Sequence, residues 1–191
     1  MNATGEATAE FQKTRFTIRS LPVGIARFIH NFPRLIRAKR ADRVSDQFAE
    51  KIMLAVTAVN ECQYCTRYHT DVARETGMEQ ETITQLLEND IRSAVDDNER
   101  PALVFAQQYA ETDGNPGRDA RNALRETYGP ETAADVLAFV RAIYIGNLLG
   151  NTYDAIRFAL AQRVHAGRQY LRSASTGISR VVERLRERCR V

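Results

Sequence analysis

Two thiols and an imidazole crowd the eight residues from Cys62 to His69, inside the stretch NECQYCTRYHTDVARETG (60–77). On an α-helix Cys65 falls roughly 60° from Cys62, and His69 roughly 40° from Cys65. All three share one face. An imidazole one turn from a thiol can take its proton or stabilise its thiolate, and a second thiol one turn the other way can close a disulfide.

The elements that must position these groups can be read on either side. Asn60 interrupts an apolar run, so a new helix is expected to start near Glu61 or Cys62 and to end at Gly77, a residue suited to the position after a helix. Both sulfurs then lie in the first turn, where unpaired N–H groups and the helix dipole favour a thiolate. From Phe48 to Val59 only Glu50, Lys51 and Thr57 are polar. A helix apolar on nearly all sides is a buried one, and Glu50 on it needs a partner or a raised pKa. In a straight helix Glu50 would stand about 18 Å from Cys62; a reversal near Asn60 brings them together. Asp42 or Ser45 is expected to cap the Glu50 helix.

Spacing also divides the roles. Cys65 has His69 at i+4, the separation at which helical side chains touch. Cys62 lies two turns from His69, about 10 Å along the axis. Cys65 is therefore read as the attacking thiolate and Cys62 as the resolving thiol, nearer an exposed helix start. Glu50 orients His69 or passes protons through it. Two other readings of the same residues are a metal site and a pair of packed core thiols. Cys62, Cys65, His69 and Glu50 would make an acceptable zinc set, but structural zinc sites draw on two separate ligand pairs, whereas three of these fall in one helical stretch. No metal and no cofactor is assigned.

The pattern Glu50, eleven residues, Cys62, two residues, Cys65, three residues, His69 resembles the signature of the AhpD-like alkylhydroperoxidases in the carboxymuconolactone decarboxylase family. RPALVFAQQYAE (100–111), ALRETYG (123–129) and NLLGNTYDAIRFAL (147–160) resemble the second half of that family's repeat, so the likeness covers about residues 42–160. It implies an AhpD-like helical bundle that reduces a hydroperoxide and is recycled by an external dithiol or disulfide reductase. It also implies a homo-oligomer, a trimer or a hexamer built as a trimer of dimers. One departure is Tyr64, where the name-giving members carry a His. The family's lactone decarboxylases generally lack the paired cysteines. A lactone enzyme of that type and a redox-sensing interaction protein using the same disulfide stand as the alternatives.

The remaining composition sets bounds. A chain of 191 residues with 43% hydrophobic and 27% charged content is sized for one compact domain. A net charge of +3 gives no composition-based case for nucleic acid. Three cysteines, two of them in a C-x-x-C pair, fit a reducing compartment; with no secretory leader evident, the expected location is cytoplasmic. The expected organisation is an N-terminal extension with a covering helix (1–41), the AhpD-like catalytic domain (42–166) and an Arg-rich tail helix (167–191).

Strand-like alternation is missing, so the fold class is all-α. Expected helices are 21–32, a second one from Pro33, the Glu50 and Cys–His helices, 79–89, one capped by Asp96 or Asp97 and running through Glu111, 118–128, 131–149 and 152–165. The segment 21–32, with His30, is read as packing or as a lid over the thiols. Helix 131–149 is apolar enough to raise the question of a membrane span, but Asp135 and Arg141 interrupt it, and a core or subunit-interface helix is expected. Gly146 and Gly150 mark a close approach or a kink. The tail is expected to break at SASTG (173–177) before an amphipathic segment with Ile178, Val181, Val182 and Leu185.

Overall fold

Ser45 starts the helix that carries Glu50. Its backbone is extended and its hydroxyl accepts the Phe48 N–H at 3.2 Å, one of the N-terminal donors that the helix itself leaves unpaired. The computed structural model describes residues 11–188, and side chains as far as Leu171. Among the described residues there are seven helices and no strand: α1 Ser20–Ala41, α2 Asp46–Asn60, α3 Gln63–Glu75, α4 Gln80–Leu87, α5 Ile91–Ala94, α6 Arg100–Glu111 and α7 Gly117–Arg188. The fold is all-α, as the sequence predicts. Residues 12–152 form one compact unit; Phe11 and the described residues from Tyr153 onward belong to another.

Within the first unit α2 is the buried helix its composition requires, with Ile52, Leu54, Ala55 and Val56 fully buried. Fully burying such a side chain contributes roughly 1.5–3 kcal/mol. The first half of α7 lies against it and supplies Val136 and Val140 to the same core. Polar contacts fix the register. Asn31 of α1 donates to the Ala138 carbonyl at 2.9 Å, and the Thr57 hydroxyl donates to Asn147 Oδ1 at 3.2 Å. Asp135 is fully buried on α7 and receives Arg34 at 2.8 Å and Arg43 at 2.6 Å.

Several boundaries differ from expectation. Pro33 starts no new helix but sits inside α1. It removes one N–H, and the carbonyl left over is that of Ile29, whose side chain is exposed and which therefore lies on the solvent side, where such a loss is tolerated. Neither Asp96 nor Asp97 caps α6. The helix begins at Arg100, where Glu99 sits in the cap position and pairs with the half-buried Lys51 of α2 at 2.6 Å. The single turn α5 carries no periodicity long enough to read.

Gly129 breaks α7 as expected, with φ 75° and ψ 164°, and Pro130 opens the next stretch. From there the helix continues to Arg188, without a break at Asn147, at residues 150–152 or at 173–177. A glycine costs a helix about 1 kcal/mol relative to alanine, too little to break it when the neighbouring Thr152 bonds back to the Leu148 carbonyl at 2.6 Å. The apolar stretch of α7 is long enough to cross a membrane, yet 61% of it is buried inside the protein, the property of a core helix in a soluble protein.

In the second unit Phe11 and Phe158 approach at 6.2 Å, and Arg157 lies over Tyr153. Ile156, Leu160, Val164 and Leu171 are exposed. The side chains of Ile178, Val181, Val182, Leu185 and Cys189 lie outside the described residues.

Candidate active site

The reversal between α2 and α3 takes two residues. Glu61 adopts the left-handed conformation at φ 52°, and Cys62 stands in the N-cap position of α3. Its sulfur accepts the Cys65 N–H at 3.4 Å, in the place an Asp or Ser oxygen usually takes. The corner is held from outside by α7. Asn151 donates to the Asn60 carbonyl at 2.7 Å and to the Thr14 carbonyl at 2.9 Å. Asn60 is the last residue of α2, so its carbonyl has no intrahelical partner, and Asn151 supplies one. Lys13 donates to the next carbonyl, that of Glu61, at 2.8 Å.

With the corner fixed, α3 runs back along α2 and all four sequence-derived residues come together. Cys62 and Cys65 stand at bonding distance, with Cα atoms 5.3 Å apart, inside the range a disulfide requires. Glu50 Oε2 lies 2.7 Å from His69 Nδ1, and both side chains are nearly buried. The partner that burial demanded of Glu50 is thus His69. With Nδ1 engaged, Nε2 is the ring nitrogen left for exchange with another group. The ring of Tyr68 meets the imidazole edge-on at 5.1 Å.

Cys65 and His69 open into one cleft of about 330 Å³, walled by Met53, Tyr64, Tyr68, Ala142, Ile143 and Gly146. Tyr64, at the place where the resemblance leads one to look for a His, is part of that wall. The sulfurs differ in access. Cys65 is half-buried on the cleft, whereas Cys62 is fully buried. The expectation that Cys62 lies nearer an exposed helix start is corrected here: α7 covers the helix start, and a β-carbon at Gly150 would stand 2.6 Å from the Cys62 sulfur. Gly150 therefore marks a close approach and not a kink. None of the cleft's walls comes from α1, and His30 lines a separate cavity. Among the described residues no group of three or more His, Cys, Asp or Glu is arranged to hold a metal ion.

Asn151 is the functional neighbour that sequence reasoning left without a role. Gly150 was marked by its type; Asn151 acts across 91 positions and leaves no local signal.

Glu50, Cys62, Cys65 and His69 all fall within one matched segment. Residues 26–108 match the model of the carboxymuconolactone decarboxylase family. That family includes AhpD-like proteins and contains enzymes, decarboxylases and alkylhydroperoxidases among them. The match begins inside α1, earlier than the resemblance read from the sequence, and ends in α6, so 123–129 and 147–160 lie beyond it. The chain matches no curated protein and no solved structure.

Proposed function

We propose that this chain is an AhpD-like, thiol-dependent hydroperoxide reductase. The observation that carries the reading is the 2.7 Å contact of Glu50 with His69 beside a cleft onto which Cys65, bonded to Cys62, also opens. Nucleophile, base and orienting carboxylate are the three parts of an activated-thiol site.

In the reduced enzyme His69 takes the Cys65 proton. The thiolate attacks one peroxide oxygen, the O–O bond breaks, and the leaving alkoxide takes a proton to depart as the alcohol. Cys65 is left as a sulfenic acid. Cys62 attacks its sulfur, water leaves, and the disulfide forms. An external dithiol then reduces that disulfide by thiol exchange. Because Cys62 is buried, the reductant attacks Cys65 and Cys62 is the leaving thiolate. The same sulfur thus meets both substrates. A reducing compartment such as the cytoplasm suits this cycle, and a homo-oligomer is the assembly we assign.

The test is consumption of cumene hydroperoxide with excess dithiothreitol. Wild type turns over many equivalents. His69→Gln slows the reaction about a hundredfold, the usual contribution of a general acid–base group, and Glu50→Gln slows it by roughly tenfold or more. A protein that consumes one equivalent and stops is a redox sensor and not a reductase.

A further inference from the structure

Helix α1, the end of α6 with the loop that follows it, and the two parts of α7 that meet at Gly129 line a second cavity, of about 800 Å³, which shares no lining residue with the Cys65 cleft. One turn of α7 serves both: Arg141, Tyr144 and Ile145 face the cavity, while Ala142, Ile143 and Gly146 face the cleft.

The cavity is cationic. Arg27 comes from α1, Arg121 from the segment before Gly129 and Arg141 from the segment after it, with His30 beside them. Asp113 is the lone carboxylate in the lining, so three guanidiniums against one carboxylate leave a formal charge of +2 with His30 neutral. Among the described residues none of these three arginines has an ion-pair partner. The contrast with Arg34 and Arg43, which converge on the buried Asp135, is plain. The Nε of Arg121 is buried and has no hydrogen-bond partner, and a buried donor left unsatisfied is costly. Asp113 faces Tyr144 instead. Burial first, and then this carboxylate, raise the Tyr144 phenol well above its ordinary pKa, so it remains a donor. Phe16, Val23 and Ile145 supply an apolar side to the wall, and Tyr109 and Asn115 complete it. A β-carbon at Gly24 would fall 2.4 Å from the Phe16 ring, so the glycine lets that ring close one side of the cavity.

Guanidinium forks are suited to planar or tetrahedral oxyanions, and the volume is that of a small-molecule pocket. We propose that this cavity binds a small organic anion with a doubly charged phosphate or dicarboxylate headgroup on an apolar body. The headgroup takes Arg121 and Arg141, and the body lies against Phe16, Tyr109 and Ile145. This assignment stands apart from the thiol reaction and requires none of it.

The test is isothermal titration of the full chain with phenyl phosphate, phthalate and, as a neutral control, benzyl alcohol. One saturable site is expected for at least one dianion and none for the alcohol; which dianion binds identifies the headgroup. Arg141→Gln and Arg121→Gln should each weaken binding by about tenfold or more, the loss of one charge-assisted hydrogen bond. Should Arg141→Gln fail to fold, Arg121→Gln and the rise in wild-type melting temperature with the dianion still decide the matter. No saturable binding of either dianion at millimolar concentration, equal binding of the alcohol, or affinity unchanged in a folded arginine variant would overturn the assignment.

Discussion

Gly150 of α7 faces the Cys62 sulfur so closely that a β-carbon there would lie 2.6 Å from it. A disulfide holds that sulfur in place, whereas a free thiol can turn to another rotamer. Gly150→Ala should therefore burden the oxidised state more than the reduced one. Overpacking of this kind costs about 1–3 kcal/mol. A differential of about 1.4 kcal/mol moves the redox equilibrium about tenfold. Equilibration in glutathione buffers, with free thiols counted by alkylation and mass, should show the variant displaced toward the dithiol. An unchanged ratio would mean that the corner yields and that Gly150 does not bias the couple.

The two cysteines should separate cleanly in a trapping experiment. Cys65 borders the cleft, while Cys62 is fully buried. Cys62→Ser treated with peroxide and a sulfenic-acid trap should accumulate adduct on Cys65. Cys65→Ser should oxidise no faster than an ordinary free thiol. Rapid oxidation of Cys62 in that second variant would reverse the assignment of roles.

How much of this was legible depends on how local each cause is. The i, i+3 and i+7 spacing of Cys62, Cys65 and His69 depends only on helix geometry, and the structure keeps it. The cap at Ser45, the reversal after Asn60 and the break at Gly129 follow from residue types within a few positions. The burial of Cys62 was misread because the residue that covers it, Gly150, lies 88 positions away (150 − 62). Likewise, Asn151 caps α2 from the far side of the chain. Pro33 and the continuity of α7 show the opposite limit: a local breaker loses to the packing of the helix around it. The gathering of Arg27, Arg121 and Arg141 could not be seen at all, since α1 and the two parts of α7 share no periodicity.

Asp135 offers a test of the frame that holds the site. It is fully buried on α7, and Arg34 and Arg43 reach it from α1 and the turn that follows. Removing one member of a buried ion pair typically costs about 3–5 kcal/mol. Here the arginines keep part of their water contact, so Asp135→Ala should lose about 2 kcal/mol in urea unfolding. Replacing Arg34 and Arg43 together with methionine should restore part of the loss. A variant as stable as wild type would show that the pairing does no more than orient the helices.

The outer face of α1 bears on assembly. Ile25, Ile29, Phe32 and Ile36 are all exposed, at 46%, 65%, 46% and 37%, and they recur at the i, i+4, i+7, i+11 spacing of one helix face. Arg27 and His30 line the cationic cavity from the opposite face, and among the described residues none covers the apolar stripe. A contiguous apolar patch of this kind is characteristic of a protein–protein contact, and a second copy is the partner we assign. Light scattering should give a multiple of the 21.6 kDa chain mass. Ile29→Glu places a charge at the centre of the stripe, and it should shift the population toward the monomer without changing the helical circular dichroism. Because Cys65 and His69 draw none of their cleft walls from α1, the dissociated variant should still form the Cys62–Cys65 disulfide with one equivalent of peroxide. A wild-type chain that runs at 21.6 kDa at micromolar concentration would remove the assembly from this account and leave the stripe unexplained.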